Sequence, residues 1–278
     1  MEHLRWSAQP QLETPVVIAA FEGWNDAGDA ATTALRFLVD RWRAQPLATV
    51  DAEAFFDFTT HRPQVRLDDE GQRSIVWPRN QFSYARVPGL GDVILLDGTE
   101  PALLWRTYCR QVVGIARRFE ASMVLTLGAL ISDVPHSRPV DVHGSSSDEE
   151  ISERFGFEPS SYEGPTGIVG VLHTELAEAE LPSGSLWAAV PSYVHGAPSP
   201  KAALALVERL TGLLEVNLLT TDLQIATAAY ERQVNTLVSD DADTADLVRQ
   251  LEQRYDEMSD PASLVEEVEQ FLREATEE

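Results

Sequence analysis

The chain has 278 residues and a formal net charge of −24, with 44% hydrophobic and 24% charged residues. This length allows one large core with an appendage or two small domains, and the composition is that of a globular protein. The negative charge disfavours binding to nucleic acid or to an anionic membrane. The single cysteine, Cys109, allows no internal disulfide, and residues 1–9 lack the apolar run of a signal peptide, so we expect a cytoplasmic protein.

The N-terminal part begins with a strand and a helix. Residues 14–21 (TPVVIAAF) form a continuous apolar run rich in β-branched side chains, which is typical of a strand buried on both faces. The apolar spacing in residues 26–43 predicts a helix whose free amides are capped by Asn25 or Asp26. Residues 47–56 are predicted to form a second strand.

The middle of the chain combines a hairpin with another strand and helix. Residues 73–77 and 81–87 alternate around Pro78-Arg79-Asn80, which indicates an antiparallel hairpin. Residues 92–96 (DVILL) predict a buried strand. A helix then opens at Pro101, where the missing N–H has no helical acceptor to lose, and runs to about residue 119.

Further strands and helices follow the same order. Residues 122–127 predict a strand that ends in Gly128, and residues 165–170 lead into another short strand. Residues 185–190 predict the last buried strand, and residues 199–213 form a helix capped by its first residue. The repeated order predicts a three-layer α/β/α fold with a mostly parallel central sheet, in which the hairpin is the antiparallel exception.

The C-terminal part changes character, so we divide the chain into an α/β core, residues 1–218, and an acidic helical extension, residues 219–278. The extension contains 16 acidic residues and 4 arginines and carries three helical apolar stripes, the last over residues 264–272. Two interpretations remain open. The helices either pack on the core as a solvated bundle, or form an arm that contacts a second subunit or a basic partner.

Four loops follow the predicted strands, at residues 21–29, 97–100, 127–136 and 191–198. Ligands of open α/β sheets bind beyond the carboxyl ends of the strands, so these loops could converge on one edge. The candidate residues for binding a partner or ligand there are Glu22, Gly23, Trp24, Asn25, Asp26, Gly128, Asp133, Pro135, His136, Tyr193 and His195.

The first of these loops has three interpretations. Gly23 and Gly28 could let the backbone approach a phosphate, but neighbouring carboxylates oppose an anion and the sequence has no G-x-x-x-x-G-K-[ST] motif. The loop could instead be a structural turn and cap, or it could contact a protein partner. Trp24 is either a lid over the core or an exposed interface anchor.

Motifs for catalysis and metal binding are weak. The residue types of a triad occur in Ser132-Asp133 with His136 or His195, but no G-x-S-x-G motif accompanies them. His136 and His143 lack the spacing of a metal site. We therefore expect no catalytic residue, no metal and no cofactor, and the sequence favours a binding protein over an enzyme.

Four motifs in combination resemble the proteasome assembly chaperone 2 family, in its bacterial branch. They are FEGWNDAGDAA at 21–31, LGALISDVPHSRP at 127–139, YEGPTGIVGVLH at 162–173 and PSYVHGAPSPKAALALVERL at 191–210. The resemblance implies a three-layer core similar to nucleoside phosphorylases. It also implies protein partners, because relatives bind proteasome subunits and help them assemble.

Some members of that family dock through a C-terminal hydrophobic residue followed by tyrosine and any residue. The present sequence has Ala-Thr-Glu-Glu at 275–278, so this docking mode is not expected. The leading hypothesis is an assembly factor for protein partners that also forms a homo-oligomer. A small-molecule enzyme or sensor for nucleoside-like ligands is the alternative, and it rests on analogy of fold alone.

Overall fold

The computed structural model describes residues 2–68, 70–194 and 196–259. The strands are β1 (Leu4–Trp6), β2 (Val16–Glu22), β3 (Gln45–Val50), β4 (Gln64–Leu67), β5 (Arg73–Val76), β6 (Gln81–Val87), β7 (Gly91–Thr99), β8 (Met123–Ser132), β9 (Val142–Ser145) and β10 (Ser183–Pro191). The helices are α1 (Ala30–Arg41), α2 (Ala52–Phe55), α3 (Trp105–Arg118), α4 (Glu149–Phe155), α5 (Ile168–Glu178), α6 (Pro200–Leu213), α7 (Thr221–Asp240) and α8 (Ala242–Ser259).

An eight-stranded sheet runs through the centre in the order β1-β3-β6-β7-β2-β8-β10-β9. The four middle strands, β7, β2, β8 and β10, are parallel. The pairs β1-β3, β3-β6, β6-β7 and β10-β9 are antiparallel. Helices cover both faces of the middle strands, which explains why residues 16–21 of β2 are apolar and buried. The predicted three-layer α/β/α class is confirmed, with a sheet that is parallel in its middle.

Alternating side chains of each middle strand enter two different cores. Ile18 and Leu125 pack with the side chains of α1 and α6 on one face of the sheet. Val17 and Val124, one residue earlier in each strand, pack with α3 and α5 on the other face. This alternation follows from the two-residue repeat of a strand and produces the three layers.

The helices that follow the core pack against it. In α7, Leu223, Tyr230 and Val234 are buried, and Leu223 belongs to the core of α1 and α6. Helix α8 contributes the buried side chains Val248 and Leu251. The described part of the extension is therefore packed on the core, as the first interpretation states. The third apolar stripe, residues 264–272, lies outside the described residues. The division of the chain at residue 218 stays a prediction.

The predicted hairpin around residues 78–80 is wrong. Strand β5 pairs with β4 in a separate two-stranded sheet, and β6 pairs with β3 and β7. The turn lies between β4 and β5, where the Asp68 carboxylate accepts hydrogen bonds from the amides of Glu70 and Gln72. Gly71 in this turn has a φ of 77°, a conformation that favours glycine. Residues 78–80 form no turn, and the Asn80 side chain accepts a hydrogen bond from the Thr99 amide.

Other predicted elements have different bounds or types. The strand predicted at 47–56 ends at Val50, because Asp51 caps the short helix α2. The strand predicted after 165–170 is helix α5, in which Ile168, Leu172 and Leu176 are buried at four-residue spacing. A short apolar run fits a strand and a buried helix equally well, which explains this error. The helix predicted from Pro101 begins at residue 105.

Gly128 is a packing position inside β8, since a Cβ atom there would lie 2.5 Å from the ring of Trp187 on the neighbouring strand. We predict that Gly128→Ala lowers the free energy of unfolding by about 1 to 3 kcal/mol through overpacking. The matched control is Gly212→Ala in α6, where a Cβ meets no atom within 4 Å. It should raise stability by about 0.5 to 1 kcal/mol. Urea unfolding measures both variants, and equal effects would contradict this explanation.

Candidate functional site

Hydrogen bonds join the first loop to the other three at the carboxyl ends of the parallel strands. The Asn25 side-chain amide donates to Glu100 Oε1 (3.1 Å), and the Asn25 carbonyl accepts from the Ala129 amide (2.9 Å). The carbonyl of Gly28 accepts from the Ser199 amide, directly after the fourth loop (2.7 Å). The four loops therefore lie together along one edge of the sheet.

The third and fourth loops are also bonded to each other. Ser192 Oγ donates to the carboxylate of Asp133 (2.8 Å). The His136 amide donates to the Tyr193 hydroxyl oxygen (2.7 Å), which also lies 2.8 Å from Nδ1 of the same histidine. His195, the remaining candidate in the fourth loop, lies outside the described residues.

Asp26 caps helix α1 from the first loop. Its buried carboxylate accepts hydrogen bonds from the Ala31 amide (2.6 Å) and from the amide and hydroxyl of Thr32. Burial raises the pKa of Asp26 to about 6, although the hydrogen bonds from Thr32 and Ala31 oppose this shift. These bonds already use the amides of Ala31 and Thr32, so neither amide is available to a phosphate.

The carboxylate of Glu22 is also engaged within the chain. Arg36 forms an ion pair with Glu22 and a second one with Asp97 at 3.0 Å. The Thr99 hydroxyl donates to the other Glu22 oxygen at 3.1 Å. The carboxylates of Glu22 and Asp26 in the first loop therefore both have partners within the chain.

His136 is a structural side chain of this edge. It is buried, and its Nε2 lies 3.1 Å from Oδ1 of Asn235 in α7. With Nδ1 beside Tyr193, both ring nitrogens already have partners. His136 therefore has no free ring nitrogen with which to act as a base for Ser132.

The acidic helices hold the third loop in place. Lys201 of α6 donates to the His136 carbonyl and forms an ion pair with Glu231 of α7. Arg138 forms a two-bond ion pair with Asp256 of α8, at 2.6 and 2.7 Å. Part of the negative charge of the extension is thus used inside the chain. Sequence reasoning missed these contacts, since they join residues 30, 65 and 118 positions apart.

Large apolar side chains remain exposed at the same edge. We call them the apolar edge surface, which consists of Trp24, Leu103, Leu104, Leu130, Ile131 and Tyr162. Trp24 is 65% exposed, so its interpretation as a lid over the core is wrong. Leu104 has a φ of 54°, which is rare for an exposed leucine.

Most residues of the apolar edge surface were not among the sequence candidates. Leu103 and Leu104 follow Pro101 and fall within the helix predicted from the sequence, although α3 begins only after them. The candidates Gly128 and Pro135 are buried within the edge and do not form its surface. The one usable signal was the continuation of the apolar run of β8 beyond the predicted strand end.

The described residues offer little space for a small ligand near His136. A cavity there is lined by His136, Lys201 and Tyr230. The space that the centre of a water molecule can occupy in it is about 10 Å³, so the cavity holds at most one water. Within the described ranges, no group of three or more His, Cys, Asp or Glu side chains could hold a metal ion. None of the helices described is long and apolar enough to cross a bilayer.

Comparison with known proteins identifies the family. The PAC2 family model matches residues 20–238, a range that includes all four loops. The chain belongs to the PAC2 family. The resemblance seen in the motifs is therefore confirmed. A search of curated protein sequences found no match to the chain.

Two crystal structures of bacterial relatives share both sequence and fold with this PAC2 family chain. A PAC2 family protein from Streptomyces avermitilis is 43% identical, with a TM-score of 0.78, over 84% of this chain and 99% of the other. A proteasome-assembly chaperone homologue from Mycobacterium tuberculosis is 40% identical, with a TM-score of 0.75, over 84% and 99%. The archaeal proteasome activator PbaB of Pyrococcus furiosus shares the fold, with 16% identity and a TM-score of 0.68 over 84% and 97%.

The buried carboxyl of Asp26 predicts a pH-dependent contribution to stability. Its pKa of about 6 in the folded chain lies above the usual 3.8, so its contribution is fully present below pH 3.8 and is lost as the pH rises through 6. We predict that the stability of wild type relative to Asp26→Asn falls by about 2 to 3 kcal/mol between pH 4 and pH 7. Urea unfolding at both values tests this, and a difference that does not change with pH would contradict it.

Proposed function

We propose that this PAC2 family protein is an assembly-factor-like protein that binds a protein partner through its apolar edge surface. The observation that carries the proposal is the separation of polar and apolar groups at this edge. The polar groups of Asn25, Asp26 and His136 bond to other parts of the chain, whereas Trp24 and Ile131 face solvent. Groups of large exposed apolar side chains are typical of protein-interaction sites.

The physical chemistry of such a surface favours a protein over a small polar ligand. Tryptophan, tyrosine and leucine bury large areas, and a rigid backbone beneath them reduces the entropy lost on binding. A nucleoside or phosphate needs free donors and acceptors in a concave site. The capping role of Asp26 and the paired ring of His136 remove two of the groups that were available for such a ligand.

The names of the relatives suggest which partners to test first. One is called a proteasome-assembly chaperone homologue and another a proteasome activator. Proteasome core-particle subunits are therefore the first candidates for the partner of this chain. We further propose that the protein acts in the cytoplasm and as a homo-oligomer.

The test is recovery of core-particle subunits from a native lysate with a variant that lacks two anchors, Trp24→Ala with Ile131→Ala. We predict that this variant binds the subunits about 30-fold more weakly than wild type, because truncation of a central anchor costs about 2 kcal/mol or more. Quantitative mass spectrometry of the recovered proteins provides the measurement.

The matched control is Ile225→Ala with Leu237→Ala on helix α7. These side chains are 65% and 66% exposed, as are Trp24 and Ile131, but they belong to α7 and not to the apolar edge surface. The control should recover as much of the subunits as wild type. The proposal is overturned if wild type enriches no core-particle subunit, or if both double variants recover equal amounts.

A further inference from the structure

Acidic residues accompany the apolar edge surface along the chain. The four loops and residues 162–167 together contain seven acidic residues and no arginine or lysine, whereas the whole chain has 21 basic residues for 45 acidic ones. Asp133 lies two positions after Ile131, and Glu163 comes directly after Tyr162. The one basic residue within three positions of an apolar edge side chain is Arg106, at the start of α3.

Three of the seven acidic side chains are exposed. We call them the edge carboxylates, which are Asp29, Asp133 and Glu163. No arginine, lysine or histidine of residues 2–68, 70–194 and 196–259 forms an ion pair with them. Elsewhere, carboxylates such as those of Asp51 and Asp222 pair with arginines. The edge carboxylates therefore turn uncompensated negative charge toward solvent.

This charge limits what can cover the apolar edge surface. An anionic membrane or a nucleic acid would meet like charge there. A purely apolar partner would leave the carboxylates without counter-charges, whereas a partner with cations beside its apolar side chains is attracted by them. Protein interfaces commonly have such an apolar centre with a polar border.

We propose that the apolar edge surface binds a segment of a partner protein in which apolar side chains are flanked by lysine or arginine. The apolar side chains of the segment pack on Trp24, Ile131 and their neighbours, and its cations pair with the edge carboxylates. The apolar centre supplies most of the affinity, and the charge pairs select the partner. This partner chemistry rests on the proposed function of the same surface and adds the class of partner to it.

Binding of short synthetic peptides to the full chain tests this chemistry. The peptides share one apolar centre and differ only in their flanking residues, which are lysine in one peptide and glutamate in the other. Fluorescence anisotropy should show that the lysine peptide binds at least about tenfold more tightly at low salt, because like charges oppose the glutamate peptide. Its affinity should fall as salt rises, since screening weakens exposed charge pairs.

Neutral substitutions of the edge carboxylates test their role. The triple variant Asp29→Asn, Asp133→Asn and Glu163→Gln should bind the lysine peptide about tenfold more weakly than wild type, because three exposed charge pairs are lost. Asparagine suits position 29, where φ is 50°, and at position 133 it retains an oxygen that can accept from Ser192.

The matched control is the triple variant Asp40→Asn, Glu208→Gln and Asp240→Asn. It changes the net charge by the same amount at exposed positions of α1, α6 and α7. No ion pair joins these three side chains to a cation in the part of the chain that the structure describes. The control should bind the lysine peptide within about twofold of wild type.

The partner chemistry is overturned if the lysine peptide does not bind, if both peptides bind equally, or if both triple variants bind the lysine peptide equally. The proposed function survives each of these results when Trp24→Ala with Ile131→Ala still lowers the recovery of core-particle subunits. It fails separately when that double variant recovers as much as its control.

Photo-crosslinking from position 131 in a native lysate identifies the segment that is bound. A photoreactive amino acid there should attach to a segment of another protein with apolar residues between lysines or arginines. Attachment to an acidic segment, to lipid or only to a second copy of this chain would overturn the partner chemistry, and so would the absence of any attachment.

Discussion

The arrangement of the edge depends on one partly buried polar contact between loops. Asn25 and Glu100 are bonded to each other, and the same Glu100 oxygen accepts from the Ile168 amide at 2.8 Å. Buried polar groups must find partners, so these bonds fix the first loop, the second loop and the start of α5 relative to one another. The approach is close: a Cβ atom on Gly167 would lie 2.4 Å from Asn25 Nδ2.

This contact explains why the edge is polar inside and apolar outside. Loops at the carboxyl ends of parallel strands usually direct polar groups toward a ligand. Here Asn25, Asp26 and His136 are directed into the chain, so Trp24 and its neighbours remain on the outside. Helix α7 contacts the third loop through Asn235, and α8 contacts Arg138, just after that loop, through Asp256. A rigid surface of apolar anchors is suited to binding protein.

Much of the fold could be predicted from local patterns, because burial on both faces leaves a clear sequence signature. The run at 14–21 covers all of β2 except its last residue, and the helix at 199–213 has the cap and proline that the sequence indicates. The separate two-stranded sheet of β4 and β5 could not be predicted in this way. Strand β4 is short and exposed, so it carries no pattern of burial, and the more prominent Pro78 suggested a turn in the wrong place.

The edge was only partly predictable for a different reason. The sequence placed the four loops together, because parallel strands end at a common edge. It could not show which side chains face outward, since that depends on hydrogen bonds between distant residues, such as His136 with Asn235. The exposure of Leu103 and Leu104 depends on where α3 begins, and the beginning of a helix is one of the least certain features of a sequence.

Amide hydrogen exchange measured by NMR tests the central claim most directly. In wild type, the amides of Ile168 and Ala129 should exchange slowly, as do those of the central strands. Glu100→Ala, which removes the shared acceptor, should speed exchange at Ile168 by at least about tenfold, whereas Glu100→Gln, which retains a side-chain oxygen, should not. Rapid exchange of the Ile168 amide in wild type, or equal protection in both variants, would contradict the account.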